Sequence, residues 1–314
     1  MPPRSPLPQR LGLDAAWLRT RDGNAGEPAP WASMREWLGE RLSQHVDVEA
    51  FLADKRFVYQ DGSAVHGDDP YRDNLFVWFH RDLREEPPVP GAIRVIHRDE
   101  RIVIIDKPAF LSSIPRGRHV AQSVVVRLRA ELGLPELAPM HRLDRITSGL
   151  LMLATEKRWR APYQSMFMHG EVGKTYHAMA GIRADLELPV TVRNHLAKRR
   201  GILQAEVIPG AEPNAESDVE FERELAPGAE GERRGVYRLS PVTGKTHQLR
   251  LHMWGLGIPI AGDPLYPDVQ DIAVDDFSTP LQLLASELRF RDPIDGSART
   301  FRSAREFPLT PETA

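Results

Sequence analysis

His141-Arg142-Leu143-Asp144-Arg145-Ile146-Thr147-Ser148-Gly149-Leu150-Leu151-Met152-Leu153 is the stretch from which the rest of the chain can be read. Its second half is an apolar run that predicts a strand from Gly149 to Thr155. A Thr-Ser-Gly turn before that strand holds Asp144 on a short loop at the edge of a sheet. Arg142 and Arg145 flank it in sequence, and nearby cations favour an ionised carboxylate. Two readings stay open. Asp144 is a nucleophilic carboxylate on a rigid support, or an Asp that caps backbone amides before a turn.

Working outward, a strand is expected at Arg101 to Asp106, then a helix near Ala121 to Leu132 whose Val124, Leu128 and Leu132 share a face and which Gly133 ends. After the decisive strand, a helix around Trp159 to Met168 puts Trp159, Tyr163, Met166 and Phe167 toward a core, and Gly170 stops it. The strand Lys174 to Ala180 sends Lys174, Tyr176 and Ala178 to one side. Tyr176 there can stack on a planar ligand or be a half-buried Tyr with its hydroxyl satisfied. Thr243-Gly244-Lys245-Thr246-His247-Gln248-Leu249-Arg250-Leu251-His252-Met253 reads as a turn into a helix capped by Thr246, with Leu249, Met253 and Leu256 as its core stripe. His247 and Arg250 fall on an adjoining face, where Arg250 reaches a carboxylate of another element or forms a structural ion pair.

Between Glu206 and Glu232 stand nine acidic residues and one Arg, mostly on an expected hairpin, read as a solvated face that points away from any polyanion or screens out wrong substrates. Strands and helices do not alternate regularly, which predicts an α+β fold with a mixed, largely antiparallel central sheet and flanking helices. Residues 1–32, rich in Pro, Gly and Arg, read as a flexible arm. Residues 33–86 read as a small α/β module: Ser33 caps a helix with Met34, Trp37 and Leu38, Asp47 caps one with Val48, Phe51 and Leu52, and strands follow at Phe57-Val58-Tyr59 and Phe76-Val77-Trp78-Phe79. Pro87-Pro88-Val89-Pro90 marks the linker, and residues 91–308 form the main domain.

Composition narrows the function. The 314 residues carry 41 Lys+Arg, 44 Asp+Glu and 41% apolar residues, which excludes disorder, and no Cys, which excludes thiolate nucleophiles, zinc ribbons and iron–sulfur clusters. No apolar run is long enough for a membrane span or a signal core, so the expected compartment is the cytoplasm. His80-Arg81-Asp82-Leu83 has Pro87 where a kinase loop needs Asn, and both Gly-Lys-Thr triplets lack the earlier glycine of a phosphate loop. His247 and His252 are five apart and leave a helix on different faces. No metal, redox or nucleotide cofactor is expected.

The segment His141 to Leu153, the strand Lys174-x-Tyr176-x-Ala178, the run Gly244 to His252 and the later Gly262-Asp263-Pro264-Leu265-Tyr266 together resemble the RluA-type family of RNA pseudouridine synthases. These four matches stand in order over about 125 residues. Arg98-Asp99-Glu100 and Asp106-Lys107-Pro108 also resemble that family's opening strands. The resemblance implies an isomerase that breaks the N-glycosidic bond of a uridine in rRNA or tRNA and rejoins the ribose to carbon 5 of the base, with no cofactor. It implies a pseudouridine synthase fold and RNA as partner; a monomer is the default.

By position, the resemblance implies that Asp144 is the catalytic aspartate, that Tyr176 stacks on the target uracil and assists proton removal, and that Arg250 orients Asp144. Arg142 would fill the space of the flipped base, and Leu283 would line the base pocket. His141, Thr147, Lys245, His247 and Gln248 would contact substrate. Arg193, Lys198, Arg199 and Arg200 form the densest basic stretch and would grip the RNA backbone. Leu284 stands where relatives often have His. Asp263, the nearest second carboxylate, reads as structural; a glycosidase would need such a group to activate water. The module at 33–86 resembles a small RNA-binding domain of many relatives, or is a structural extension. The rival function is a non-catalytic RNA-binding or RNA-folding protein that keeps the fold.

Overall fold

The computed structural model describes residues 2–20, 29–42, 46–228, 231–273 and 275–311. The chain divides into two compact units, Met1–Glu85 and Glu86–Ala314.

The first unit contains β1 (Ala16–Arg19), α1 (Met34–Arg41), α2 (Val48–Ala53), β2 (Val58–Tyr59) and β3 (Phe76–Phe79). Ser33 accepts the Glu36 N–H and Asp47 the Ala50 N–H, so both helices start where their caps predict. Met34, Trp37, Leu38, Phe51 and Leu52 pack with Phe57, Val77 and Phe79 in one core. The flexible-arm expectation is corrected at Ala16–Arg19, which pairs antiparallel with β3, Ala16 opposite Phe79 and Arg19 opposite Phe76. Ala16 and Leu18 pack on the core while Trp17 and Arg19 are exposed. Four residues are too short for that alternation to stand out, and the partner strand lies far downstream. Part of the expected arm, 21–28, lies outside the described residues.

The second unit runs β4 (Arg94–Arg98), β5 (Ile102–Lys107), α3 (Val124–Leu132), β6 (Ala138–Pro139), β7 (Ser148–Ala154), α4 (Lys157–Met168), β8 (Gly173–Gly181), β9 (Val190–Asn194), β10 (Leu196–Ala197), β11 (Glu206–Val207), β12 (Ala215–Glu224), β13 (Arg234–Pro241), α5 (Gln248–Gly255), β14 (Leu283–Arg291) and β15 (Ala298–Arg302). Among the described residues, ten strands form one sheet in the order β4-β5-β7-β14-β8-β13-β12-β9, with β15 beside β14 and β6 beside β7. Its pairings are antiparallel except β7 with β14, where Ser148 faces Leu284 and Gly149 faces Ala285 in parallel. This is the mixed, largely antiparallel α+β sheet that the irregular order of elements predicts.

β5 and β7 are buried along their whole length because both faces are covered. Leu151 and Leu153 pack with Val124, Val125 and Leu128 of α3 and with Leu249 and Met253 of α5. Leu150, Met152 and Ala154 pack with Tyr163 and Met166 of α4. α3 starts three residues later than expected, because the N–H groups of Val120, Ala121 and Gln122 donate to the Glu86 carboxylate instead. It ends at Gly133, which is left-handed at φ 65.

The acidic hairpin is also corrected: its carboxylates are not merely solvated. Glu216 pairs with Arg193 at 3.0 Å, Glu220 with Arg238 at 2.6 Å and Glu224 with Arg233 at 2.9 Å. β12 lies between β9 and β13, where Arg193 stands opposite Glu216 and Arg238 opposite Glu220 across the ladder, while Arg233 precedes β13.

Candidate active site

The loop that carries Asp144 is pinned on both sides. Before it, Ser113 Oγ donates to the Leu143 carbonyl at 2.8 Å and accepts the Leu143 N–H at 3.2 Å. After it, the Lys107 ammonium donates to the carbonyls of Arg145, Pro108 and Leu111 at 3.0, 2.9 and 2.7 Å. Lys107 is fully buried, which pushes its pKa down, yet three carbonyls take all three of its protons. The Thr147 N–H closes the turn on the Asp144 carbonyl. Gly149 then sits at φ +111, and a Cβ there would lie 2.3 Å from the Ala285 oxygen, so β7 and β14 approach this closely only with glycine.

Asp144 thus stands at the wall of an open cleft of about 770 Å³. Its side chain is 33% exposed, and Oδ2 lies 3.5 Å from Arg250 Nη1 and 3.9 Å from His247 Nε2. Arg250 is buried on α5, but Asp144 is not its main partner. Its Nε and Nη2 donate to Asp263 at 2.7 and 2.6 Å in a bidentate pair, and the Leu265 and Tyr266 N–H groups donate to Asp263 as well. The guanidinium also lies over the Tyr266 ring, 5.2 Å from its centroid. Arg250 therefore presents its remaining nitrogen to Asp144 from a fixed mount, and Asp263 is sealed behind it at 1% exposure. Among the described residues lining the cleft, Asp144 is the only carboxylate.

Tyr176 on β8 and Leu283 at the start of β14 form the neighbouring wall. Burial and the negative charge of Asp144 push the Tyr176 hydroxyl up, so it remains a phenol at neutral pH. Leu284 pairs with His177 rather than with Tyr176 and is buried outside the cleft lining, so the departure at that position sits in the core.

One sequence expectation here needs correction. Thr246 does not cap α5; His247 does, in the left-handed region at φ 59, and the helix starts at Gln248. Gln248 reaches the cleft wall but is 4% exposed and bound on every side. Its Oε1 accepts from Thr243 Oγ1 and the Lys245 N–H, and its Nε2 donates to the Glu216 carbonyl and to Ser217 Oγ. His141 stacks on Phe167 with centroids 4.5 Å apart, and its Nε2 accepts the Met152 N–H. Burial and Lys174 push it down to about 3, so it is a neutral brace for β7. Thr147 lines the cleft but is 3% exposed.

Arg142, exposed, and Lys245 lie at the cleft mouth. Arg193, Lys198, Arg199 and Arg200 do not line the cleft. Arg193 is held by Glu216, Arg199 pairs with Glu206 at 2.6 Å, and Lys198 donates to the Ile202 carbonyl within the β10–β11 hairpin. Lys174, which lines the cleft and donates to the Thr243 carbonyl at 3.3 Å, was legible as a neighbour of Tyr176 on the same strand face. Asp263 and Lys107 stand in stretches that carry the resemblance, but nothing local in either shows that one clamps Arg250 and the other anchors the Asp144 loop. His247 and His252 part as their spacing predicts, His252 binding Asn194 at 3.0 Å. No helix among the described residues is long and apolar enough to cross a membrane.

Comparison with known proteins agrees with this geometry. The profile of a family described as RNA pseudouridylate synthase matches residues 101–254, which hold Asp144, Tyr176 and Arg250. RNA pseudouridine synthase 7 of Oryza sativa subsp. japonica is 35% identical over 188 residues, 58% of this chain and about half (47%) of its own length. The dual-specificity RNA pseudouridine synthase RluA of Pasteurella multocida is 32% identical over 229 residues, 70% of this chain and 97% of its own. Among solved structures, human RNA pseudouridylate synthase domain containing 1 shares the fold with a TM-score of 0.56 at 23% identity, over 74% of this chain and 89% of that one.

Proposed function

Because the chain belongs to the RluA-type family of RNA pseudouridine synthases, isomerases that convert uridine in RNA to pseudouridine, we propose that it isomerises specific uridines in rRNA or tRNA. The observation that carries this reading is a single carboxylate, Asp144, at a cleft wall shared with Tyr176 and Leu283 and steadied by a buried Arg250. A hydrolase would need a second carboxyl group facing substrate to activate water, and Asp263 is shut behind Arg250.

A uridine within stacked RNA hides its anomeric carbon, so it is flipped into the cleft at a cost of roughly a few kcal/mol. Tyr176 stacks on the uracil, Leu283 packs against its edge and Arg142 fills the gap in the helix. Asp144 acts at the anomeric carbon, breaking the bond to N1, and the detached uracil turns to present carbon 5 for the new bond. Arg250 keeps Asp144 aligned through the exchange. Lys245 and Lys174 at the cleft take backbone phosphates, while the hairpin cations Lys198, Arg199 and Arg200 reach RNA farther out. The Pasteurella relative is named for dual specificity, which is the reason to test both RNA classes. The reading is of a cytoplasmic monomer that needs no metal or nucleotide cofactor, with a first unit serving as a structural extension. That unit carries 14 Asp+Glu against 11 Lys+Arg over residues 1–85, a poor balance for gripping a polyanion.

The test is tritium release from rRNA and tRNA labelled at carbon 5 of uracil, taken from cells lacking this protein, with Asp144→Ala as control. Release by wild type and not by the variant is expected. RNA binding without release from either class would instead favour a non-catalytic binder.

A further inference from the structure

Isomerisation leaves a proton to be removed. When carbon 5 bonds to the anomeric carbon it becomes tetrahedral, holding both ribose and its original hydrogen, with a double bond between N1 and carbon 6. Completion breaks the bond from carbon 5 to hydrogen. Its electron pair forms the double bond between carbons 5 and 6, the N1–C6 π pair moves onto N1, and N1 takes a proton from water. A base must therefore stand at the cleft wall.

We propose that His247 is that base, accepting the carbon 5 proton on Nε2; the inference rests on the function proposed above. Tyr176 is a phenol with a raised pKa and has no anionic oxygen to offer. His141 lines the cleft, but its Nε2 already accepts the Met152 N–H. His169 lies exposed at the rim, in water, rather than beside Asp144. His247 differs. Its Nδ1 lies 2.9 Å from the Tyr266 hydroxyl, while its Nε2 is 3.9 Å from Asp144 Oδ2, too far for a hydrogen bond.

The network around Tyr266 accommodates a tautomer with its proton on Nδ1. Tyr266 Oη accepts the Ala205 N–H at 2.7 Å and donates its own proton to the Ala205 carbonyl at 3.1 Å. With the hydroxyl proton directed to the Ala205 carbonyl, Nδ1 donates to Oη and the lone pair is left on Nε2, the tautomer that the proposed role requires. The ring packs edge-on against Tyr266, 82° between planes, and its backbone is in the left-handed region, a strained conformation of the kind that gathers at functional sites.

The charged and titratable groups facing the ring are Asp144 from the loop before β7, Arg250 from α5, Asp263 and Tyr266 from the loop after it, and Lys198 from the β10–β11 hairpin. Burial outweighs the acids and takes the imidazole down to about 4, so it is neutral and ready to accept a proton across the physiological range. A weak base suffices, since losing the carbon 5 proton restores the conjugated ring. Asp144, released as a carboxylate when the new carbon–carbon bond forms, then faces the imidazolium until it passes the proton to water.

Fluorine at carbon 5 separates this step from the others, because 5-fluorouridine can be cleaved and rejoined but has no proton there to lose. His247→Gln and His247→Ala are compared with wild type, full-length, on uridine and 5-fluorouridine RNA of the same sequence. Tritium release should fall by about 100-fold or more, 5-fluorouridine should be rearranged at the wild-type rate, and deuterium at carbon 5 should slow the variants more than it slows wild type. Equal losses on both RNAs, or no loss on either, would overturn the role of His247. Failure of wild type to release tritium from any RNA would overturn the synthase reading itself.

Discussion

Replacing Asp263 with Asn keeps shape and removes charge, which makes it a sharp probe of how Arg250 is mounted. Arg250 and Asp263 are 2% and 1% exposed and share two hydrogen bonds of 2.6 and 2.7 Å. Breaking a buried pair from one side costs about 3–5 kcal/mol, because the other charge stays desolvated. The Asn oxygen still accepts one bond, so about 3 kcal/mol is the expected loss. For a unit of this size each kcal/mol is worth about 2–4 °C, so the melting temperature should fall by about 6–12 °C. The contact between Arg250 and Asp144 is longer, 3.5 Å, with the carboxylate 33% exposed. Asp144→Asn should therefore cost at most about 1 kcal/mol, or 2–4 °C, while abolishing turnover. Differential scanning calorimetry with single-turnover tritium release reads both quantities. If Asp263→Asn melts with wild type, or if Asp144→Asn is the more destabilised of the two, Arg250 is not held as argued.

Gly149→Ala should cost about 3 kcal/mol or more, since its Cβ would meet backbone 2.3 Å away at φ +111, and a melting temperature near wild type would show that β7 and β14 can part cheaply. Lys107→Met strands three carbonyls at about 1–3 kcal/mol each, so it should destabilise by several kcal/mol, with the Asp144 loop more open to hydrogen exchange than α4; unchanged exchange there would refute the anchor. His252, buried on Asn194, is pushed down to about 4 by burial, so its unfolded form binds a proton first as pH falls from the ordinary histidine value of 6.5. The stability gained by keeping it neutral is full above pH 6.5 and is lost as pH falls toward 4. The melting temperature should drop over that window less steeply in His252→Gln than in wild type, and equal slopes would remove His252 as a source.

The elements read most easily are those whose signals are local. α1 and α2 begin at Ser33 and Asp47 because a cap contacts only its own first turn, and α3 ends at Gly133 because only the next residue's conformation matters. β7 stands out because a strand covered on both faces must be apolar throughout. Tyr176 and Lys174 on one strand face, and Asp144 on the loop before β7, follow from the same short-range geometry. The bonds of His141 and Gln248 are illegible in the sequence for the opposite reason. Both line the cleft, but their hydrogen bonds go to Met152 and to the Thr243–Lys245 turn and β12, and the sequence carries no sign of that.

By itself, then, the sequence determined the residue types of the site, their order along the chain and the strands and helices that bear them. Periodicity, caps and turns act within a few residues, so they survive in a one-dimensional reading. Only the tertiary structure decided who partners whom. It turned Arg250 chiefly to Asp263, laid β7 parallel to β14 across Gly149, drew Ala16–Arg19 into the first sheet and set His247 between Tyr266 and Asp144. Buried charges and backbone groups must find partners wherever the packed chain brings them, and that search runs through space rather than along the sequence.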